Sequence, residues 1–198
     1  FMSGPEALHV LDGIDLSIPQ GELLAIVGAS GVGKSTFLHI LGGLDRPTSG
    51  SVNYGDTDIF SLDNNKLAKF RNERVGFVFQ DSDAQLFMPS VWDEIAFGPL
   101  QLGVDEAEVA RRVESALLAL HIEKLRDRPP HQLSGGEKKR VALASVLSLS
   151  PEVWMLDEPS AGLDPHSVSW LKDFILAQGK AEKTIVLSTH DLAIVEAT

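Results

Sequence analysis

The chain has 198 residues, of which 43% are hydrophobic and 23% charged, with a formal net charge of -11 and no cysteine. Its apolar runs are far shorter than the roughly 20 residues that a membrane helix needs, and residues 1–8 lack the pattern of a signal peptide, so we expect one soluble domain. The absence of cysteine excludes disulfides and thiolate metal sites, and the acidic balance argues against a nucleic-acid partner, which would require a basic surface.

The first 80 residues predict strands and helices around a glycine loop. Apolar residues spaced by two or three predict an outer strand over 11–18, and the apolar run Leu23–Val27 predicts a buried parallel strand. A helix is predicted over 35–44, before Pro47. Further along, the patterns predict a hairpin of 51–54 and 58–60, a helix over 64–72 and a buried strand over 75–79.

Residues 81–150 differ from the flanking segments because helical periodicity replaces strand signals, most clearly over 105–120 and 137–149. We interpret this segment as a helical insert. Strands at 153–156 and 184–188, separated by a helix at 167–178, predict a return to a parallel α/β core. Short basic clusters at 111–112 and 138–140 lie on predicted helices, which favours solvated helix faces.

The glycine loop follows the strand at 23–27 and precedes a helix. Its sequence satisfies the pattern Gly-x4-Gly-Lys-Ser in the strand, loop and helix context that this pattern requires. Glycines let backbone amides surround a phosphate chain, and the helix presents its positive N-terminus. We expect Lys34 to bridge the β- and γ-phosphates and Ser35 to ligate Mg²⁺. The predicted nucleotide-binding residues of this loop are Gly28, Ala29, Ser30, Gly31, Val32, Gly33, Lys34, Ser35 and Thr36.

Polar residues follow the other predicted strands. Asp157 and Glu158 close the strand at 153–156, Gln80 follows the strand at 75–79, and His190 follows the last strand. Carboxyl ends of parallel strands share one edge, so all four should face the crevice that contains Lys34. We expect Asp157 to hold Mg²⁺ through water and Glu158 to act as general base; taken singly, Gln80 and His190 are ordinary residues.

A second glycine turn, residues 133–137, precedes the helix at 137–149. Its free amides, hydroxyl and helix dipole suit an anion, although a plain N-cap with a flexible turn also fits. Unlike the first loop it carries no lysine, so we expect it to contact a phosphate that it does not hold by itself.

These motifs resemble those of the ATP-binding subunits of ATP-binding cassette (ABC) transporters, in order and over essentially the whole chain. The corresponding segments are the Walker A loop 28–36, the Q-loop glutamine Gln80, the signature 133–137, the Walker B segment 153–158, the D-loop 160–164 and the switch histidine His190. The resemblance implies an α/β P-loop NTPase (RecA-like) fold with an antiparallel β subdomain. It also implies one domain over 1–198, with 1–80 and 151–198 as the nucleotide-binding core and 81–150 as the helical signature subdomain.

The resemblance further implies a head-to-tail homodimer or heterodimer, in which the signature of one subunit caps the ATP held by the other. The catalytic residues would be Glu158, His190, Gln80 and Lys34, and the Mg²⁺ ligands Ser35, Gln80 and Asp157. Additional ATP contacts would come from Phe1 as the adenine-stacking aromatic, and from Leu133, Ser134, Gly135, Gly136, Glu137 and Asp164.

Within the family the chain looks mosaic. Segments 41–50 and 71–80 resemble lipoprotein-releasing and macrolide-exporter ATPases, whereas 83–87 and 91–99 resemble cobalt or energy-coupling-factor importers. The region after Gln80 would contact a transmembrane subunit, through apolar residues of which some must belong to the core. These residues are Leu86, Phe87, Val91, Trp92 and Phe97.

We therefore expect a cytoplasmic, Mg²⁺-dependent ATPase, peripheral on the inner face of the membrane, that powers cobalt or energy-coupling-factor-type import. Two alternatives stay open: a lipoprotein-release-type ATPase, and an engineered chimera or fragment that binds nucleotide without coupled transport. A DNA-maintenance ATPase is disfavoured, because the chain has no long coiled-coil insertion.

Overall fold

The computed structural model describes residues 10–190, which form an α/β fold around a four-stranded parallel sheet. The strands of this sheet are β1 (Leu23–Val27), β4 (Val75–Val78), β5 (Val153–Asp157) and β6 (Thr184–Thr189), in the order β1-β6-β5-β4. β6 is central and pairs with β1 and β5 in parallel register, for example Ala25 with Leu187 and Asp157 with Ser188. The parallel α/β core predicted from the sequence is confirmed.

The two faces of the sheet are covered by different helices. Alternation along β5 turns Met155 to one face, where it packs with Leu38 of α1 (Lys34–Leu41). Trp154 and Leu156 turn to the other face and join the larger core. That core also receives α6 (Pro165–Lys180), which connects β5 to β6. Because both faces are covered, β5 and β6 are apolar in their middle parts, over 153–156 and 185–187, and polar residues occur only at their ends.

The middle of the chain forms three helices: α3 (Val91–Gln101), α4 (Glu106–Ala119) and α5 (Gly135–Leu149). Each begins at a side chain that accepts a hydrogen bond from a first-turn amide: Ser90, Asp105 and Ser134. Their apolar faces meet around buried residues such as Ile95, Leu117 and Leu143. The helical character predicted for this segment is therefore present, and α3 retains Pro99 within its last turn.

A small antiparallel ribbon joins β2 (Asn53–Tyr54) to β3 (Thr57–Asp58), followed by α2 (Asn64–Arg74). The predicted hairpin is thus present, but its second strand ends early. The Asp58 carboxylate accepts a hydrogen bond from the Phe60 amide, which turns 59–61 into a short 3-10 helix.

The outer strand predicted over 11–18 is wrong, because the structure has no strand between residue 10 and β1. Ile14 and Leu16 are half exposed there. An alternating segment becomes a strand only when its backbone forms hydrogen bonds with a neighbouring strand.

Within residues 10–190, none of the helices is both long and apolar enough to span a bilayer.

Candidate functional site

The carboxyl ends of the four parallel strands bring the predicted site residues to one edge of the sheet. β1 runs into the glycine loop, β4 precedes Gln80, β5 ends at Asp157, and β6 precedes His190. Since all four strands point the same way, these ends line a common edge.

The glycine loop wraps around the side chain of Lys34, which is buried at the start of α1. Its ammonium donates hydrogen bonds to the carbonyl oxygens of Gly28 and Ala29, at 2.8 and 3.0 Å. Gly33, the N-cap of α1, has a φ of 96°, and a Cβ there would lie 3.0 Å from a Val10 methyl. The positive φ therefore favours glycine at this position, and a side chain would also require its neighbours to shift.

Glu158 connects the glycine loop to the last strand. Its carboxylate lies 3.1 Å from Lys34 Nζ through Oε1 and 2.7 Å from His190 Nδ1 through Oε2. Glu158 is buried, whereas the His190 ring is largely exposed. The backbone of Glu158 has a φ of 43°, an uncommon conformation for a residue with a side chain. Three of the predicted catalytic residues are therefore in direct contact.

Ser188 holds both carboxylate-bearing residues in place, and sequence reasoning missed it. Its hydroxyl donates to Asp157 Oδ1 at 2.6 Å and accepts from the Glu158 amide at 2.9 Å. Ser188 is completely buried. The pairing register of the two strands could have identified it, because Ser188 lies directly opposite Asp157 in the β5–β6 pair.

All three predicted metal ligands carry side-chain oxygen atoms of the type that Mg²⁺ prefers. Asp157 supplies a buried carboxylate at the end of β5, Ser35 a hydroxyl in the first turn of α1, and Gln80 an amide oxygen after β4. The backbone carbonyl of Gln80 accepts a hydrogen bond from Lys139 Nζ. Across residues 10–190, no group of three or more histidine, aspartate or glutamate side chains is arranged to hold a metal.

The second glycine turn forms the start of α5 and is closed by a capping box. Ser134 Oγ accepts from the Glu137 amide, and the Glu137 carboxylate accepts from the Ser134 amide at 2.8 Å. The hydrogen bonds that the Ser134 amide and hydroxyl donate to the carboxylate hold the pKa of Glu137 below its ordinary value. Gly135 is exposed, with open space where a Cβ would be, so the turn presents backbone amides at its surface.

Leu133 and Asp164, two of the predicted ATP contacts, take part in the packing and capping of this chain. Leu133 is buried in the large core. The Asp164 carboxylate caps α6 by accepting from the amides of His166 and Ser167 and from the Ser167 hydroxyl, which lowers its pKa. Phe1, predicted to stack on adenine, lies outside the described residues.

The apolar residues predicted to face a partner differ in exposure. Val91 is fully buried core, whereas Phe87 is 67% exposed and packs edge-on against Phe97. The buried carboxylate of Glu94 accepts from the amides of Phe87 and Met88, at 2.9 and 2.8 Å, and so fixes the loop that presents Phe87. Leu86 and Trp92 are partly buried, with the guanidinium of Arg126 over the Trp92 ring.

A family model described as "ABC transporter" matches residues 11–161. The cobalt import ATP-binding protein of Rhodobacter capsulatus is 48% identical over 98% of this chain and 68% of its own length. The structure of the CbiO1 protein of Clostridium perfringens, part of the CbiONQ transporter complex, is 42% identical, with a TM-score of 0.83 over 94% of this chain and 74% of that chain. A dimeric ATP-binding cassette bound to ADP and Pi is 30% identical, with a TM-score of 0.92 over 100% of this chain and 87% of that chain.

The similarity to the Rhodobacter capsulatus protein continues on both sides of residue 80, since it covers 98% of the chain. These comparisons therefore give no support to a mosaic of two subfamilies joined at Gln80.

Proposed function

The chain belongs to the ABC transporter family, whose subunits of this type are ATPases, and from this we propose that it powers import of the cobalt or energy-coupling-factor type. The importer class is supported by the similarity to a cobalt import protein and to a subunit of a CbiONQ complex. The observation that carries the proposed chemistry is the contact of Lys34, Glu158 and His190 at the edge of the parallel sheet.

We propose that ATP binds along the glycine loop, with its phosphates on the loop amides and on Lys34. Lys34 would then exchange its ion pair with Glu158 for the β- and γ-phosphates, which frees the carboxylate. Glu158 takes a proton from water as the water oxygen attacks the γ-phosphorus, and the bond to the β-bridging oxygen breaks to release ADP. His190, held by Glu158, contacts the γ-phosphate. Mg²⁺, held by Ser35, Gln80 and Asp157, would neutralise phosphate charge.

A second copy of the chain is proposed to complete the site. Exposed Gly135, at the N-terminus of α5, offers a backbone amide that suits the γ-phosphate held by the partner's glycine loop, whereas the Ser134 amide already donates to the Glu137 carboxylate. The region after Gln80, with Phe87 at its surface, is proposed to contact a transmembrane subunit at the inner face of the membrane, and 81–150 to act as the signature subdomain.

Replacing Glu158 with Gln tests the proposed base. We expect equilibrium ATP binding to persist and turnover to fall by about 10²–10⁴-fold, since a positioned base contributes that much. The matched control is Glu152→Gln, at the amino end of β5, where Glu152 forms an exposed pair with Arg74. Turnover near the parent rate in Glu158→Gln would contradict the assignment.

Sedimentation of this variant should reveal a dimer only with ATP. A monomer both with and without ATP would instead favour a module that binds nucleotide without pairing.

A further inference from the structure

Lys139 is a buried cation that lies one turn inside α5, just after the second glycine turn. Its side chain is 3% exposed, although its neighbours in the basic cluster predicted a solvated helix face. Lys138, the preceding residue, is partly buried, and its ammonium pairs with the exposed carboxylate of Asp83. A lysine is almost never buried without specific partners.

The partners of Lys139 are two backbone carbonyls at the nucleotide edge of the sheet. Its ammonium donates to the carbonyl oxygens of Phe79 and Gln80, each at 3.0 Å. β4 ends at Val78, so both carbonyls lie beyond the paired part of the strand. Lys139 therefore joins the helix of the signature turn to the segment that carries Gln80.

Within the segment itself, the Gln85 side chain holds the backbone on either side of Val78. Gln85 accepts a hydrogen bond from the Phe79 amide and donates one to the Phe77 carbonyl, both at 3.1 Å. From α5, Lys139 reaches the carbonyls of Phe79 and Gln80, whereas Lys138 reaches only the exposed side chain of Asp83 beyond them.

α5 is also held against β4 further along its length. A Cβ at Gly76 would lie 2.4 Å from Val146 Cγ1, so strand and helix are already in close contact there. The Gly76 contact fixes the later part of α5, and Lys139 fixes its beginning. The glycine turn at 133–137 thus has a defined position relative to Gln80.

We propose that Lys139 is a positioning residue for ATP hydrolysis, which sets the signature turn of α5 relative to Gln80 within one chain. This inference rests on the proposed function, in which both segments contact the nucleotide. Burial lowers the pKa of Lys139, while the nearby charges of Asp157 and Asp81 oppose that shift. A neutral apolar replacement would leave two carbonyls without their donor.

The test compares Lys139→Met and Lys139→Gln with Lys138→Met as the matched control. Turnover at saturating ATP should fall about tenfold or more in Lys139→Met, since small misplacements of reacting groups are costly. The Kd for ATP of the isolated chain should stay within about twofold, because the hydrogen bonds of Lys139 go to the carbonyls of Phe79 and Gln80 and not to the glycine loop. Lys139→Gln keeps N–H donors on a shorter side chain and should recover part of the loss, whereas Lys138→Met should stay within about twofold of the parent.

If Lys139→Met keeps the parent turnover while Glu158→Gln, assayed under the same conditions, is inactive, this inference is overturned and the proposed function stays intact. Hydrolysis by Glu158→Gln at the parent rate would count against the proposed function instead. A purely structural role would lower the melting temperature of Lys139→Met but not its turnover per folded molecule, and this outcome also overturns the inference. If Lys139→Met does not fold, Lys139→Gln decides: reduced turnover at unchanged Kd supports the inference, and parent turnover overturns it.

Discussion

Replacing Ser188 with Ala should weaken both the fold and the catalytic edge. Ser188 Oγ donates to Asp157 Oδ1 at 2.6 Å, and a hydrogen bond to a charged group contributes about 1.5–3 kcal/mol. The Glu158 amide also loses its 2.9 Å bond to that hydroxyl but keeps a longer one, 3.2 Å, to the Ser188 carbonyl. Together these losses predict that the free energy of unfolding falls by about 2–4 kcal/mol.

Ser148→Ala is the matched control, because Ser148 is also buried but lies away from the sheet edge. Its single O–H lies within hydrogen-bond distance of two uncharged acceptors, the carbonyl oxygens of Ile95 and Ser145, at 2.8 and 2.9 Å. Its loss should lower the free energy of unfolding by only about 1 kcal/mol. Urea denaturation measures both values.

ATP turnover separates the two serines further. Ser188→Ala should lose about tenfold or more per folded molecule, because the strained backbone of Glu158 loses its short hydrogen bond. Ser148→Ala should keep the parent turnover. The reasoning is refuted if Ser188→Ala is destabilised by less than about 1 kcal/mol with turnover unchanged, or if both variants lose turnover equally.

Further predictions concern stability around α5 and α6. Gly76→Ala would place a Cβ 2.4 Å from Val146 and 2.7 Å from Pro151. We therefore expect the free energy of unfolding, measured by urea titration, to fall by about 1–3 kcal/mol. The control is Gly179→Ala in α6, where a Cβ would meet open space, and it should be neutral or stabilising. Glu137 has a pKa held below its ordinary 4.5, so its stabilisation is complete above that pH and disappears as pH falls through the lower folded value. The stability difference between the parent and Glu137→Gln should therefore shrink under acid titration; a constant difference would contradict this.

The glycine loop and the strand ends could be predicted because they depend on local spacing. The residues from Gly28 to Ser35 form a pattern that is meaningful by itself, and parallel strands bring their ends together whatever the register. The wrong strand at 11–18 shows the limit of periodicity. Ile14 and Leu16 alternate suitably, but a strand also needs a neighbour, which the pattern of one segment does not reveal.

Ser188, Lys139 and Glu94 were missed for a related reason. Each acts through contacts that the local sequence pattern does not show. Ser188 lies opposite Asp157 because of the register of β5 and β6, and Lys139 donates to carbonyls 59 and 60 residues away. Glu94 accepts from two amides of the preceding loop. In the sequence alone Lys139 reads as part of a basic surface cluster. The structure reverses that interpretation because helix packing, rather than composition, decides which lysine is buried.

The central claim, that two chains share each ATP, is tested most directly by mixing two inactive variants. Lys34→Ala removes the phosphate-binding lysine, and Gly135→Asp places a negative charge at the signature turn, where space for a side chain exists. In a head-to-tail dimer, half of the pairs in an equal mixture are mixed, and each mixed pair has one intact site out of two. ATP turnover of the mixture should recover to about a quarter of the parent value, if the two sites work independently. Turnover no higher than the mean of the two variants measured separately would contradict the account.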